Sequence, residues 1–113
     1  MGGRLQADAH QLPALLQATL AEALAYLHSL DDRPVGVAGA ARPFLSLPQS
    51  GLGAAAALHT FRDRYAAGLS GSPGPRYWGF VTGGSTPAAL AGDWLASAFD
   101  QNTANAGETN TAH

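Results

Sequence analysis

The sequence predicts a mainly α-helical chain, three helices joined by loops rich in glycine and proline. Two observations carry that prediction. Between His10 and Leu30, the residues Leu12, Leu15, Leu16, Thr19, Leu20, Ala23, Leu24, Leu27 and Leu30 recur at helical spacing. That spacing lays one continuous apolar stripe along a helix. Further on, Thr86 is followed by Pro87. The threonine hydroxyl suits an N-cap, and the proline suits the first helical position, where its missing N–H is not needed.

Taken in order, residues 1–8 read as a flexible start. The first helix spans His10–Leu30, about 30 Å at a rise of about 1.5 Å per residue. Asp8 with Gln11 resembles a capping box at its beginning. Asp31, Asp32, Arg33 and Pro34 end it, and the two acids belong beyond the last turn because negative charge is unfavourable at a helix C-terminus. Residues 34–51 hold Pro34, Gly36, Gly39, Pro43 and Pro48, which deny a long regular element and leave Val35–Val37 and Phe44–Leu47 as short extended pieces. Ser50 is placed to cap a second helix over about residues 52–67, with Leu52, Leu58, Phe61 and Tyr65 as its large side chains and Gly68 as its stop. Ser70–Pro75 is a turn or loop. The third helix runs from Pro87 to about Asp100, with Leu90, Ala91, Trp94, Leu95 and Ala98 on its buried side. Residues 103–113 contain no large apolar side chain and read as a disordered polar tail, which leaves 9–102 as the helical segment.

Composition narrows the chemistry. The chain has 113 residues, too few for more than one domain. A compact chain of this size buries about 65% of its unfolded surface. Here the apolar share of 46% is inflated by 24 alanines, so a marginal monomer or a segment packed on a partner fits better than a hard globule. There is no lysine and no cysteine, which removes Schiff-base formation on a side chain, disulfides and thiolate chemistry. The net charge of -2 without a basic stretch argues against nucleic acid. Gln17, Glu22 and His28 interrupt the most apolar stretch, so neither a membrane span nor a signal peptide is expected, and the cytoplasm is the default.

Few local patterns suggest a site. Thr82-Gly83-Gly84-Ser85-Thr86 ahead of a helix offers free N–H groups and hydroxyls for an anion, with Arg76 as a possible fork; an ordinary turn and cap explain the same residues. His28 precedes Asp31 and Asp32, and His59 precedes Asp63, at spacings that suit local ion pairs and are too poor in ligands for a metal. Ser50, Ser70, Ser72 and Ser85 lie in no G-x-S-x-G elbow. Glu22 and Asp93 read as solvated or paired helix residues. Tyr77, Trp78 and Phe80 are either packing or the wall of an apolar pocket belonging to a larger assembly.

The stretch Pro75-Arg76-Tyr77-Trp78-Gly79-Phe80-Val81-Thr82-Gly83-Gly84-Ser85, then Pro87, Ala88, Ala91, Asp93, Trp94 and Leu95, closing on Asp100-Gln101-Asn102, resembles the N-terminal part of the group II pyridoxal-phosphate-dependent amino-acid decarboxylases. This is the family of the aromatic amino-acid and glutamate decarboxylases. The leucine-rich first helix and Arg33-Pro34-Val35 resemble the family's start more weakly, so the likeness covers about residues 8–102. It implies the N-terminal segment of a lyase with the aspartate-aminotransferase-like fold (fold type I), a homodimer acting in carboxylic acid metabolism, whose N-terminal helices pack across the subunit boundary. It also implies that Thr82 lies near the substrate carboxylate, that Phe80 and Val81 wall the pocket mouth, and that Tyr77 and Trp78 support them. Pyridoxal phosphate is implied for the complete enzyme, but its lysine, stacking histidine and ring-pairing aspartate would all lie beyond Asn102. The expectation is a truncated fragment with no catalytic residue, no cofactor and no metal of its own, inactive alone. Its partner is a second copy or the remainder of the enzyme, and only that complete enzyme binds an amino-acid substrate. The alternative is a small non-enzymatic helical protein that binds a partner through the Leu12–Leu30 face.

Overall fold

The computed structural model describes residues 2–39 and 44–102. The predicted tail at 103–113 lies outside the described residues, as does Pro43. The chain divides into two units, Met1–Thr82 and Gly83–His113. Among the described residues the structure is mainly α-helical, without a strand. The first unit holds α1 (Gly2–His10), α2 (Leu12–His28), α3 (Ala54–Arg64) and a short 3₁₀ turn (Ala66–Gly68), and the second holds α4 (Pro87–Phe99).

Four helices therefore stand where the sequence predicts three, and the difference lies at the start. Residues 2–8 are helical rather than a flexible lead. Gln11 N–H donates to Ala7 O at 3.0 Å, and Leu15 N–H donates to Gln11 O at 2.9 Å. Helical bonding thus continues across the junction, and Arg4, Leu5, Gln6, Ala7 and Ala9 are good helix formers that extend an existing helix without a new nucleus. Pro13 marks the break. It has no N–H for the carbonyl of Ala9, and its ring crowds that carbonyl, which sets Gln11 apart from both helices (φ -92°, ψ 4°).

Asp8 does not cap the helix that follows it. Both of its carboxylate oxygens accept from the N–H of Ala54, at 3.1 and 3.2 Å, so Asp8 closes the N-terminus of α3 from 46 residues away. Ser50 is not the cap of that helix. Its N-cap is Gly53, with φ 91° and no side-chain acceptor, and the carboxylate of Asp8 answers the resulting free donor and the positive end of the dipole. Replacing Asp8 with Ala is expected to cost about 0.5–2 kcal/mol, read as faster amide exchange through the first turn of α3 with α4 unchanged.

α2 carries apolar residues on two sides. Leu15, Ala18 and Glu22 face α3 across a cleft. Leu12, Leu16, Leu20 and Leu24 form a second row about 150° further round the helix; each of the four is 41–48% exposed. Among the described residues no apolar side chain is buried; only Gly71 is. The stripe read from the sequence is thus wider than the surface this unit supplies to cover it.

The C-terminal end of α2 is held mainly by polar contacts. Tyr26 Oη donates to Ser70 O at 2.6 Å, and Gly71 N–H donates to Val35 O at 2.9 Å. Arg33 lies 4.6 Å from the centre of the Tyr26 ring, where cation and π face attract, and donates to Ser29 Oγ and Leu69 O. These bonds fold the loop after α3 back onto α2.

In the second unit α4 begins as the sequence predicts. Thr86 Oγ1 accepts from Ala89 N–H at 3.2 Å, Pro87 opens the helix, and Asp100, in the left-handed region at φ 48°, ends it. The predicted buried side is not buried. Leu90 is half-buried, and Trp94 and Leu95 are exposed, because a lone helix has no second apolar layer within its own unit to pack against.

Candidate functional site

The five pocket residues named from the sequence sit on one loop at the end of the first unit. Two turns lead into it: Gly74 N–H donates to Gly71 O at 2.9 Å, and Tyr77 N–H donates to Gly74 O at 3.2 Å. The half-buried Tyr77 ring lies over Gly79, with its hydroxyl 3.0 Å from where a Cβ at that position would stand. Glycine is what lets the ring lie there. The chain then reverses between Gly79 and Thr82, whose N–H donates back to Gly79 O at 3.4 Å. The two central residues, Phe80 (φ 54°) and Val81 (φ 56°), both occupy the left-handed region. Such turns normally take Asn-Gly. A phenylalanine and a β-branched valine there cost about 1–2 kcal/mol each.

This costly turn presents hydrocarbon to solvent. Trp78 and Phe80 are each 92% exposed and Val81 is fully exposed. Thr82 Oγ1 lies 3.5 Å from Gly79 O, so its hydroxyl reinforces the turn. The structure therefore gathers Tyr77, Trp78, Phe80, Val81 and Thr82 on a single projecting loop. Within the first unit Trp78, Phe80 and Val81 stand as open surface.

One cleft lies elsewhere, between α2 and α3, and a wider one lies between α1 and residues 48–57. The cleft between α2 and α3 holds about 290 Å³ and is lined by small side chains (Ala14, Ala18, Ala54 and Ala55) together with Leu15 and Leu58. Arg62 closes one end. Its guanidinium reaches Glu22 Oε1 at 3.5 Å and Asp63 Oδ1 at 3.2 Å. The hydrogen bond to Asp63 is the main reason its pKa is raised further above the already high ordinary value. His59 does not bond Asp63 as its spacing suggests. Its Nδ1 lies 2.6 Å from Arg62 Nη2, and because a guanidinium only donates, that ring nitrogen accepts. No group of three metal-binding side chains occurs among the described residues.

The Gly83–Thr86 segment keeps the turn-and-cap role. Gly84 takes φ 74°, and Gly83 has no positive φ. Arg76 is not a fork for an anion: its Nη2 donates to the carbonyls of Leu30, Asp31 and Arg33 at 3.0, 3.0 and 2.8 Å. Replacing Thr86 with Ala is expected to cost about 1 kcal/mol of α4 stability, whereas Thr82→Ala leaves α4 unchanged. Hydrogen exchange over residues 87–98 distinguishes the two; a larger loss from Thr82 reverses the assignment.

Sequence reasoning missed Tyr26, Arg33 and Asp8 as tertiary anchors and read Arg76 as a possible anion ligand. Their partners lie 36 to 46 residues away, beyond any spacing rule. The one available signal was two arginines, Arg33 and Arg76, each beside a Gly/Pro-rich turn. No family model, curated protein or solved structure matches this chain. Among the described residues no helix is long and apolar enough to cross a membrane.

Proposed function

We propose that the chain is a segment related to the pyridoxal-phosphate-dependent amino-acid decarboxylases, one that supplies interface helices and part of the substrate-pocket mouth and is inactive alone. The observation that carries the reading is the run Pro75–Ser85, with its aromatic–glycine order intact and its Phe80-Val81-Thr82 turn set outward. A strained turn with exposed aromatic side chains is costly unless another surface receives it. The unpartnered row Leu12, Leu16, Leu20 and Leu24 supports the interface half of the proposal. In this reading the partner is a second copy or the catalytic remainder of the aminotransferase-like fold, the complete enzyme takes an amino acid, and the compartment is the cytoplasm.

The residues present do not fit pyridoxal phosphate. Holding that cofactor covalently requires a lysine amine, and the sequence contains none. No step of a decarboxylation is therefore assigned to this chain. Its own residues present a pocket wall and pack helices.

Complementation tests the proposal. A group II decarboxylase core stripped of its N-terminal segment, mixed with this chain, is expected to regain its dimer and release carbon dioxide from its amino acid. A folded chain that fails to bind the core sinks the reading. The exposed leucine row also favours a non-enzymatic helical adaptor, and one substitution separates the two. Phe80→Ser weakens rescue of the core's activity and leaves binding through α2 alone untouched.

A further inference from the structure

Six hydrogen bonds fasten the loop 69–76 to the end of α2. Gly71 N–H and Tyr26 Oη bind across the seam, Arg33 Nη1 adds the carbonyl of Leu69 at 3.1 Å, and Arg76 Nη2 sits among three carbonyls at 2.8–3.0 Å. We infer that this network is a clasp that presets the Tyr77–Thr82 loop in the free chain, so that the loop is ordered before any partner arrives.

Three features support it. Arg76 places a full positive charge on carbonyls of the turn that follows α2, and charge-assisted hydrogen bonds are roughly twice as strong as neutral ones. Arg33 is itself held on two sides, by the Tyr26 ring and by Ser29 Oγ at 3.1 Å, so little of its freedom remains to be lost when it takes Leu69. Gly71 is buried, and a Cβ on Gly74 would stand 3.2 Å from Gly71 O and 3.7 Å from Leu30 Cβ, so the turn packs closely on itself and on the residue following α2. Arg76 directly precedes Tyr77, so the clasp fixes the root of the aromatic loop. A loop ordered in advance spares the ordering cost that binding otherwise meets.

The pocket-mouth meaning of this device rests on the decarboxylase reading, but its existence does not, and the test is made on the 113-residue chain alone. Amide exchange is followed at Gly71, Gly74 and Tyr77, with Ala57 and Tyr65 of the α3 region as internal references. In the wild type the first three are expected to be protected. Arg76→Gln is expected to lower that protection at least about tenfold, the loss of a charge-assisted bond, and to leave the references unchanged. Arg76→Lys, which keeps a cationic donor, restores part of it. Tyr26→Phe, a milder change that removes one hydroxyl, lowers protection at Gly71 most. Unprotected loop amides in the wild type, or an Arg76→Gln chain whose loop exchanges as slowly as the wild type, overturns the clasp. Loop amides and references that fade together under both Arg76→Gln and Tyr26→Phe also overturn it, since the network would then be general scaffolding. A clasp that forms in a chain unable to rescue a decarboxylase core leaves this inference standing and removes the decarboxylase reading.

Discussion

Pyridoxal phosphate added to the purified chain is expected to produce no borohydride-trapped adduct on any side chain, and no imine beyond that of the α-amino group. The reason is chemical. An imine forms on an unprotonated primary amine, and with no lysine in the sequence the α-amino group is the sole candidate. Arginine is no substitute, because a guanidinium stays protonated under all accessible conditions. A group held by weak polar contacts alone is also not tuned: decarboxylation needs the cofactor ring fixed against the substrate, with a protein charge adjusting its electronics. Carbon dioxide release from any amino acid is therefore expected at the uncatalysed rate, which sets a large effect, since enzymes commonly accelerate such reactions by at least about 10⁶-fold. The measurements are borohydride trapping followed by peptide mapping, and carbon dioxide release across the common amino acids. A trapped adduct at a position other than the N-terminus, or release above background, refutes the expectation.

The sequence made some elements legible and hid others, for physical reasons. α4 was readable because its information is local: Thr86 caps a donor three residues on, and Pro87 suits only the first turn. Most of α2 was readable because a 3.6-residue period needs no knowledge of the partner. The apolar stripe of α2 divides between a side that faces α3 and an exposed row, a division that the spacing alone does not show. Periodicity states which residues share a side, whereas burial depends on what lies opposite, and α3 offers a narrow face of alanines. α1 was missed because two glycines at its start lower intrinsic propensity, while continuation from an adjacent helix is a cooperative effect no residue count records. Asp8, Tyr26, Arg33 and Arg76 were illegible as anchors because their partners are backbone groups far along the chain, and a carbonyl carries no sequence signature. Tyr77–Thr82 stands out in the sequence through its aromatic–glycine order. Its left-handed Phe80 and Val81 were not expected, because that conformation runs against the preference of both residue types.

On the proposed decarboxylase reading, Leu20→Asp is expected to weaken association of the chain with a decarboxylase core by about a hundredfold. Leu20 is at the middle of the exposed row on α2 and is 45% exposed in the free chain. Covering its remaining area is worth about 1 kcal/mol, roughly half the value of burying a whole leucine. The aspartate forfeits that and leaves an unpaired carboxylate in an apolar contact, which adds about 2 kcal/mol. About 3 kcal/mol in total corresponds to roughly two decades in Kd. The same arithmetic limits the row: four leucines supply about 4 kcal/mol, which before the cost of association reaches only the millimolar range. Any tighter complex must also cover other exposed hydrocarbon, and Trp78, Phe80 and Val81 are the largest such groups on this unit outside the row and the 44–47 segment. Two copies pairing through α2 alone cover eight such leucines, about 8 kcal/mol, and an association cost of at least about 4 kcal/mol leaves them mostly monomeric at micromolar concentration. Ala25→Asp is the control. It places the same charge on the same helix, at an exposed position about 180° from Leu16, and is expected to change Kd less than about threefold. Sedimentation equilibrium on the chain alone, and titration of the core by calorimetry, read both variants. Equal affinities for Leu20→Asp and Ala25→Asp would place the contact elsewhere, and tight self-association through an intact row would show that the leucines pack far better than their area implies.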